Sequence, residues 1–120
     1  MANSEVKNRL NLASEVRFLQ PAEADLLYND KEVNAVIVAT PTYTHEEYIT
    51  RSLEAGKAVF TEKPVSENTE AVDRVYKLAA KLNKPLFCAF NRRFDPGFSD
   101  VRAKIRNGQL GQVQQIKLTS

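Results

Sequence analysis

Two spacings of apolar residues alternate along this chain. From about residue 33, short uninterrupted apolar runs at 35–39 (AVIVA), 58–61 (AVFT) and 86–90 (LFCAF) are separated by stretches whose apolar positions recur every three or four residues. Runs that are apolar on both faces read as strands buried in a parallel sheet. Their alternation with helical patterns predicts βαβ units. Between the first two runs lies HEEYITRSLEAG, with Ile49 and Leu53 one helical turn apart and Gly56 suited to close the helix in a left-handed conformation. Between the second and third, Val72, Val75, Tyr76, Ala79 and Leu82 form one helical stripe. Ser66, Asn68, Thr69 and Glu70 supply capping oxygens and an acid at its start, and Pro85 ends the helical region before the next strand.

The flanks are less regular. NRRFDPG is turn-rich and leads into a helix carrying Phe98, Val101 and Ile105. Gly108 and Gly111 flank a tight connection, and the alternation over 112–119 predicts a strand with one dry face, belonging to a second sheet. Upstream, Val6, Leu10 and Ala13 suggest a short helix, 16–19 a brief strand and 22–28 a helix after Gln20-Pro21. No internal repeat, low-complexity tract or flexible linker interrupts the pattern.

Composition narrows the function classes. The 120 residues are 42% hydrophobic, enough for one compact core, and 17 basic against 15 acidic side chains leave a net charge of +2. So small an excess gives no reason to expect a charge-driven nucleic-acid binder. The longest apolar run is far short of the ~20 residues that span a bilayer, so no membrane partner is expected. The N-terminus lacks the apolar core of a leader, Cys88 has no disulfide partner, and His45 is the single histidine. A cytoplasmic protein with no metal cluster is the expectation.

Open parallel sheets bind ligands beyond the carboxyl ends of their strands, so the segments after the three runs carry the candidate chemistry. The first, Thr40-Pro41-Thr42-Tyr43-Thr44-His45, offers hydroxyls and flat rings able to stack on a base or ribose, or simply a threonine-capped helix start. The second, Thr61-Glu62-Lys63-Pro64, places a lysine where it can hold a substrate hydroxyl and shuttle a proton. An exposed Glu-Lys pair is the alternative. The third, Asn91-Arg92-Arg93-Phe94-Asp95, can orient polyol hydroxyls or phosphates, or form an Arg-Asp helix entry. Cys88 reads as core, and Arg102, Lys104 and Arg106 as a solvated helix face. With glycines only at 56, 97, 108 and 111, no G-x-G-x-x-G dinucleotide cradle occurs, nor any P-loop, G-x-S-x-G or HExxH motif.

The ordered series VIVATPTYTH, AGKAVFTEKP, FNRRFDPGF and IRNGQLGQV, covering residues 22–120, closely resembles the glucose-fructose oxidoreductase/inositol dehydrogenase/MocA (Gfo/Idh/MocA) family. EKP after VF is its most specific piece, and RRFDP is most similar to the inositol 2-dehydrogenase branch. The resemblance implies an α/β fold: a partial doubly wound, Rossmann-type parallel sheet that lacks its first strand, glycine-rich turn and second strand. Residues 1–111 would be a partial NAD(P)-binding domain and 112–120 the start of a truncated substrate or oligomerisation domain.

The implied chemistry is hydride transfer from a secondary alcohol of a small polyol or sugar to NAD or NADP. Lys63 would be the catalytic residue, holding the reacting or neighbouring hydroxyl, with Pro64 shaping the loop through a cis bond. Thr40, Pro41, His45, Glu62, Asn91 and Arg92 would lie against the cofactor. The family's proton-transferring Asp and His have no counterparts in this series, so the 120 residues alone are expected to be inactive. A non-catalytic module that binds ligand or pairs with a full-length relative is the alternative. Loss of the central strands would leave AVIVA as an exposed edge, so marginal stability or self-association is expected.

Overall fold

The computed structural model describes residues 16–119, and the helix expected around Val6, Leu10 and Ala13 lies outside them. Three strands, β1 (Ala35–Val38), β2 (Ala58–Thr61) and β3 (Leu86–Cys88), pair in parallel in the order β1-β2-β3. This is the Rossmann-type α/β arrangement expected, with β1 at an edge. Helix α1 (Ala24–Asn29) follows a 3-10 turn at Pro21–Glu23, α2 (His45–Glu54) joins β1 to β2, α3 (Thr69–Lys81) joins β2 to β3, and α4 (Pro96–Arg106) follows the last strand.

Local chemistry sets the helix ends. Gly56, just beyond α2, has φ +76, a conformation in which a side chain would be strained. At α3 it is Asn68, among the capping candidates, whose Oδ1 accepts the Ala71 amide at 3.0 Å. Asp95 does the same for Phe98 at 3.1 Å, with Pro96 at the first position of α4. The helical path after α3 closes at Asn83, whose φ of 51 is left-handed, before Pro85 enters β3.

Register explains which side chains are dry. Val36, Val59 and Leu86 are directly opposed, as are Val38, Thr61 and Cys88, and both rows face α2 and α3. Ile49 and Leu53 of α2 and Val75 and Ala79 of α3 complete this core, Ile49 and Leu53 having no exposed surface. Burying each such side chain contributes roughly 1.5–3 kcal/mol. Lys57 is also buried, its ammonium donating to the Asp30 carbonyl, which ties the end of α1 to the start of β2. On the surface Arg51 pairs with Asp25 at 2.6 Å and lies over the Tyr28 ring at 4.6 Å, holding α1 against α2.

Three expectations are corrected. The strands are not covered on both faces: Ile37, Phe60 and Phe87 form one in-register row on the side away from the helices, 75%, 41% and 51% exposed. The two phenylalanines stack at 5.8 Å between centroids. Residues 16–19 and 112–119 form no strand: an alternating pattern needs a neighbouring strand to satisfy its backbone, and among the described residues none pairs with either segment. The third strand is also shorter than the apolar run, ending at Cys88, since Ala89 and Phe90 turn into the 3-10 segment Asn91–Phe94.

Burial on one face only predicts opposite behaviour for substitutions on the two sides of the sheet. Leu53→Ala is expected to cost about 2–5 kcal/mol in urea unfolding. Ile37→Ser, on the other side of the sheet at a position 75% exposed, should leave that midpoint nearly unchanged.

Candidate active site

Because the three strands are parallel, the segments following them emerge on one side of the sheet. After β1, Thr40 and Pro41 are exposed, and the Thr44 hydroxyl folds back onto the Thr40 hydroxyl at 2.7 Å and the Pro41 carbonyl at 2.8 Å. The threonines thus brace the short 3-10 turn Thr42–Thr44 that leads into α2, and Tyr43 projects into solvent.

After β2, the Glu62 amide continues the ladder by donating to the Val38 carbonyl at 2.8 Å. The chain then turns through a cis Lys63-Pro64 bond, as the resemblance implied. Glu62 uses its carboxylate to accept the Lys63 backbone amide at 3.0 Å, so the adjacent pair is a local cap rather than a carboxylate-ammonium bridge. Among the ion pairs of the described residues, none involves Lys63, Arg92 or Arg93. Asp95, spent on capping α4, does not neutralise the arginines, and Arg92 stacks over the Phe98 ring at 5.3 Å instead.

These placements bring Lys63 together with Asn91 and Arg92 in one open cleft of about 270 Å³, whose other lining residues are Ala89, Phe90 and Arg93. A second hollow of about 490 Å³ continues past Asn91 and Arg92 to Phe94, Asp95 and Phe98. Cationic and amide donors beside an exposed aromatic face can hold hydroxyls and lie against a ribose or ring. Thr40 does not line this cleft; it borders a separate apolar hollow with Leu27, Tyr28 and Tyr48 beside the open edge of β1. Phe90 is a site residue that the sequence reading passed over as part of a buried strand. Its position next to the polar Asn91-Arg92 pair was the available signal.

His45 is placed differently from the other candidates. It starts α2 and is 1% exposed, with Nδ1 2.7 Å from the Pro64 carbonyl oxygen and Nε2 2.9 Å from that of Thr40. With both nitrogens occupied it has no free polar atom for a ligand, and its geometry is that of a tie between the first two strand-end segments.

Cys88 sits under the site, 5% exposed beneath α3. Burial pushes its thiol up from the ordinary range, and the Glu62 carboxylate adds to the shift. The expected core role therefore holds and a nucleophile does not. Tyr76 is raised in the same way, first by burial and then by Cys88. Among the described residues no cluster of three metal-ligating side chains occurs, and no helix is long and apolar enough to cross a membrane.

With this geometry in view, the comparisons with known proteins are consistent. The chain belongs to the Gfo/Idh/MocA oxidoreductase family with an NAD-binding Rossmann fold, whose profile matches residues 2–90. It is 40% identical over 88% of its length to inositol 2-dehydrogenase of Rhizobium meliloti, and 37% identical over 97% to myo-inositol 2-dehydrogenase of Thermotoga maritima. The matched part is 31% and 33% of those proteins, so the chain spans about a third of the length of the curated relatives it matches. A probable dehydrogenase from Thermotoga maritima superposes with a TM-score of 0.75 at 38% identity, covering 90% of this chain and 31% of that one.

The raised Cys88 thiol has a testable sign. At pH values above the unfolded thiol range, about 8.5, the unfolded chain loses a proton that the folded chain keeps, so stability falls as pH rises towards the folded value. Native Cys88 should react with iodoacetamide much more slowly at pH 8 than in urea, and Cys88→Ser should flatten the decline of stability above pH 8.5.

Proposed function

We propose that the cleft carrying Lys63, Asn91 and Arg92 is the part of an oxidoreductase site where nicotinamide and a small polyol of inositol type meet. The supporting observation is convergence: residues from the ends of β2 and β3 meet at one mouth of a parallel sheet, with a lysine that pairs with no carboxylate among the described residues. Family membership gives the redox partner as NAD or NADP.

The residues present fit the nicotinamide end of such a cofactor. Asn91 and Arg92 would lie against its ribose, and Thr40 and Pro41, at the neighbouring strand end, would border its path. Glu62 shapes the lysine's loop through its backbone contact. A glycine-rich cradle for the pyrophosphate is not among these 120 residues. When bound, the nicotinamide supplies the hydride acceptor for alcohol oxidation. Lys63 Nζ, reaching from the cleft wall, donates to the substrate hydroxyl oxygen and fixes its carbon for transfer, while Arg92 and Arg93 hold neighbouring hydroxyls.

A titration of the isotopically labelled chain with NAD, followed by myo-inositol, tests this. Amide shifts are expected at Thr40, Lys63, Asn91 and Arg92, with weak affinity, and Lys63→Met should abolish the inositol-dependent shifts while keeping those caused by NAD. Perturbations confined to other surfaces, or inositol shifts unaltered in Lys63→Met, would overturn the reading. The chain alone is expected to reduce no NAD with myo-inositol. A second reading, a module that pairs with a larger relative, is favoured by the bare Ile37-Phe60-Phe87 row. Both readings allow that surface to be covered in an assembly.

A further inference from the structure

The ring of His45 makes a demand that its neighbours cannot meet in the usual way. Both partners, the Thr40 and Pro64 oxygens, are backbone carbonyls, which only accept. A neutral imidazole carries one N–H and one bare nitrogen. It would satisfy one carbonyl and set a lone pair against the other at under 3 Å, with 1% exposure leaving no room for water to intervene. Only a ring protonated on both nitrogens donates to both.

We propose that His45 is an imidazolium in the folded chain and serves as a positioning residue, clamping the strand-end segments of β1 and β2 to each other and so aiming Lys63 at the cleft. The clamp spans the site's first two segments: Thr40 closes one side and Pro64, next to Lys63, the other. The positive end of α2 opposes a cation at this place. Glu46 and Glu47 in the first turn of α2 offset it, although Glu46 also takes two hydrogen bonds from Arg74 of α3. Glu62 and Lys63 are the charged residues of the clamped β2 segment, and neither hydrogen-bonds to the ring. Alternative aromatic or aliphatic residues could fill the space, but none would hold two carbonyls apart at fixed distances.

The role of the clamp rests on the reading of Lys63 above, whereas the protonation state is a property of the chain without ligand. His45 is the only histidine, so ring-nitrogen spectra of the chain labelled with 15N-histidine carry one imidazole and need no assignment. Two proton-bearing nitrogens are expected, both slowly exchanging. One bare nitrogen would overturn the proposal. His45→Gln, which can donate at only one end, should speed amide exchange at Thr44 and Glu62 by roughly tenfold while leaving Val59 and Val75 protected. Uniform loss of protection through β2 and α3 would instead assign the residue to the core and sink the positioning role. Neither readout uses nucleotide or polyol, so failure of the chain to bind them is a separate result.

Discussion

Everything in this molecule depends on one packing contact, the apposition of α2 and α3 with a single face of a three-stranded parallel sheet. Parallel pairing obliges the chain to cross back between strands, and both crossovers here are helices whose apolar stripes meet Val38, Val59 and Cys88. Since this layer holds nearly all the dry side chains, the rest of the fold is arranged around it. Among the described residues the opposite face remains apolar and partly exposed, unlike the doubly covered sheet of a complete doubly wound fold.

The same constraint builds the site. Parallel strands deliver their following segments to one side, so residues far apart in sequence, Lys63 and Arg92 among them, share a cleft without any long-range side-chain bond to bring them together. What does connect the segments lies beneath the surface. The ladder bond from Glu62 to Val38 and the two contacts of His45 join the first two strand ends, and the Ala89 amide donating to the Thr61 carbonyl at 2.9 Å joins the second and third. These hidden backbone contacts carry the positioning, and Lys63, Arg92 and Arg93 enter no ion pair among the described residues.

Much of this was legible in the residue pattern. Apolar runs placed the three strands within two residues, helical spacing placed α2 and α3, and the EKP and NRR segments marked the cleft. The misreadings share a cause. AVIVA and AVFT look identical whether both faces are buried or one, because burial depends on which other layers exist. Residues 112–119 have a strand's alternation, but a strand is a relation between segments, and among the described residues this one has no pairing neighbour. His45 reads in the sequence as a polar ring in a loop, and only the tertiary structure shows it buried with a carbonyl beside each nitrogen.

Local chemistry therefore determined the elements, their order and the residue types at the strand ends, since spacing, capping and turn preferences act over a few residues. The tertiary structure decided which sheet face is dry, that Thr40 stands apart from the Lys63 cleft, and that the single histidine has a carbonyl at each nitrogen. Those outcomes depend on distances between segments that no local pattern encodes.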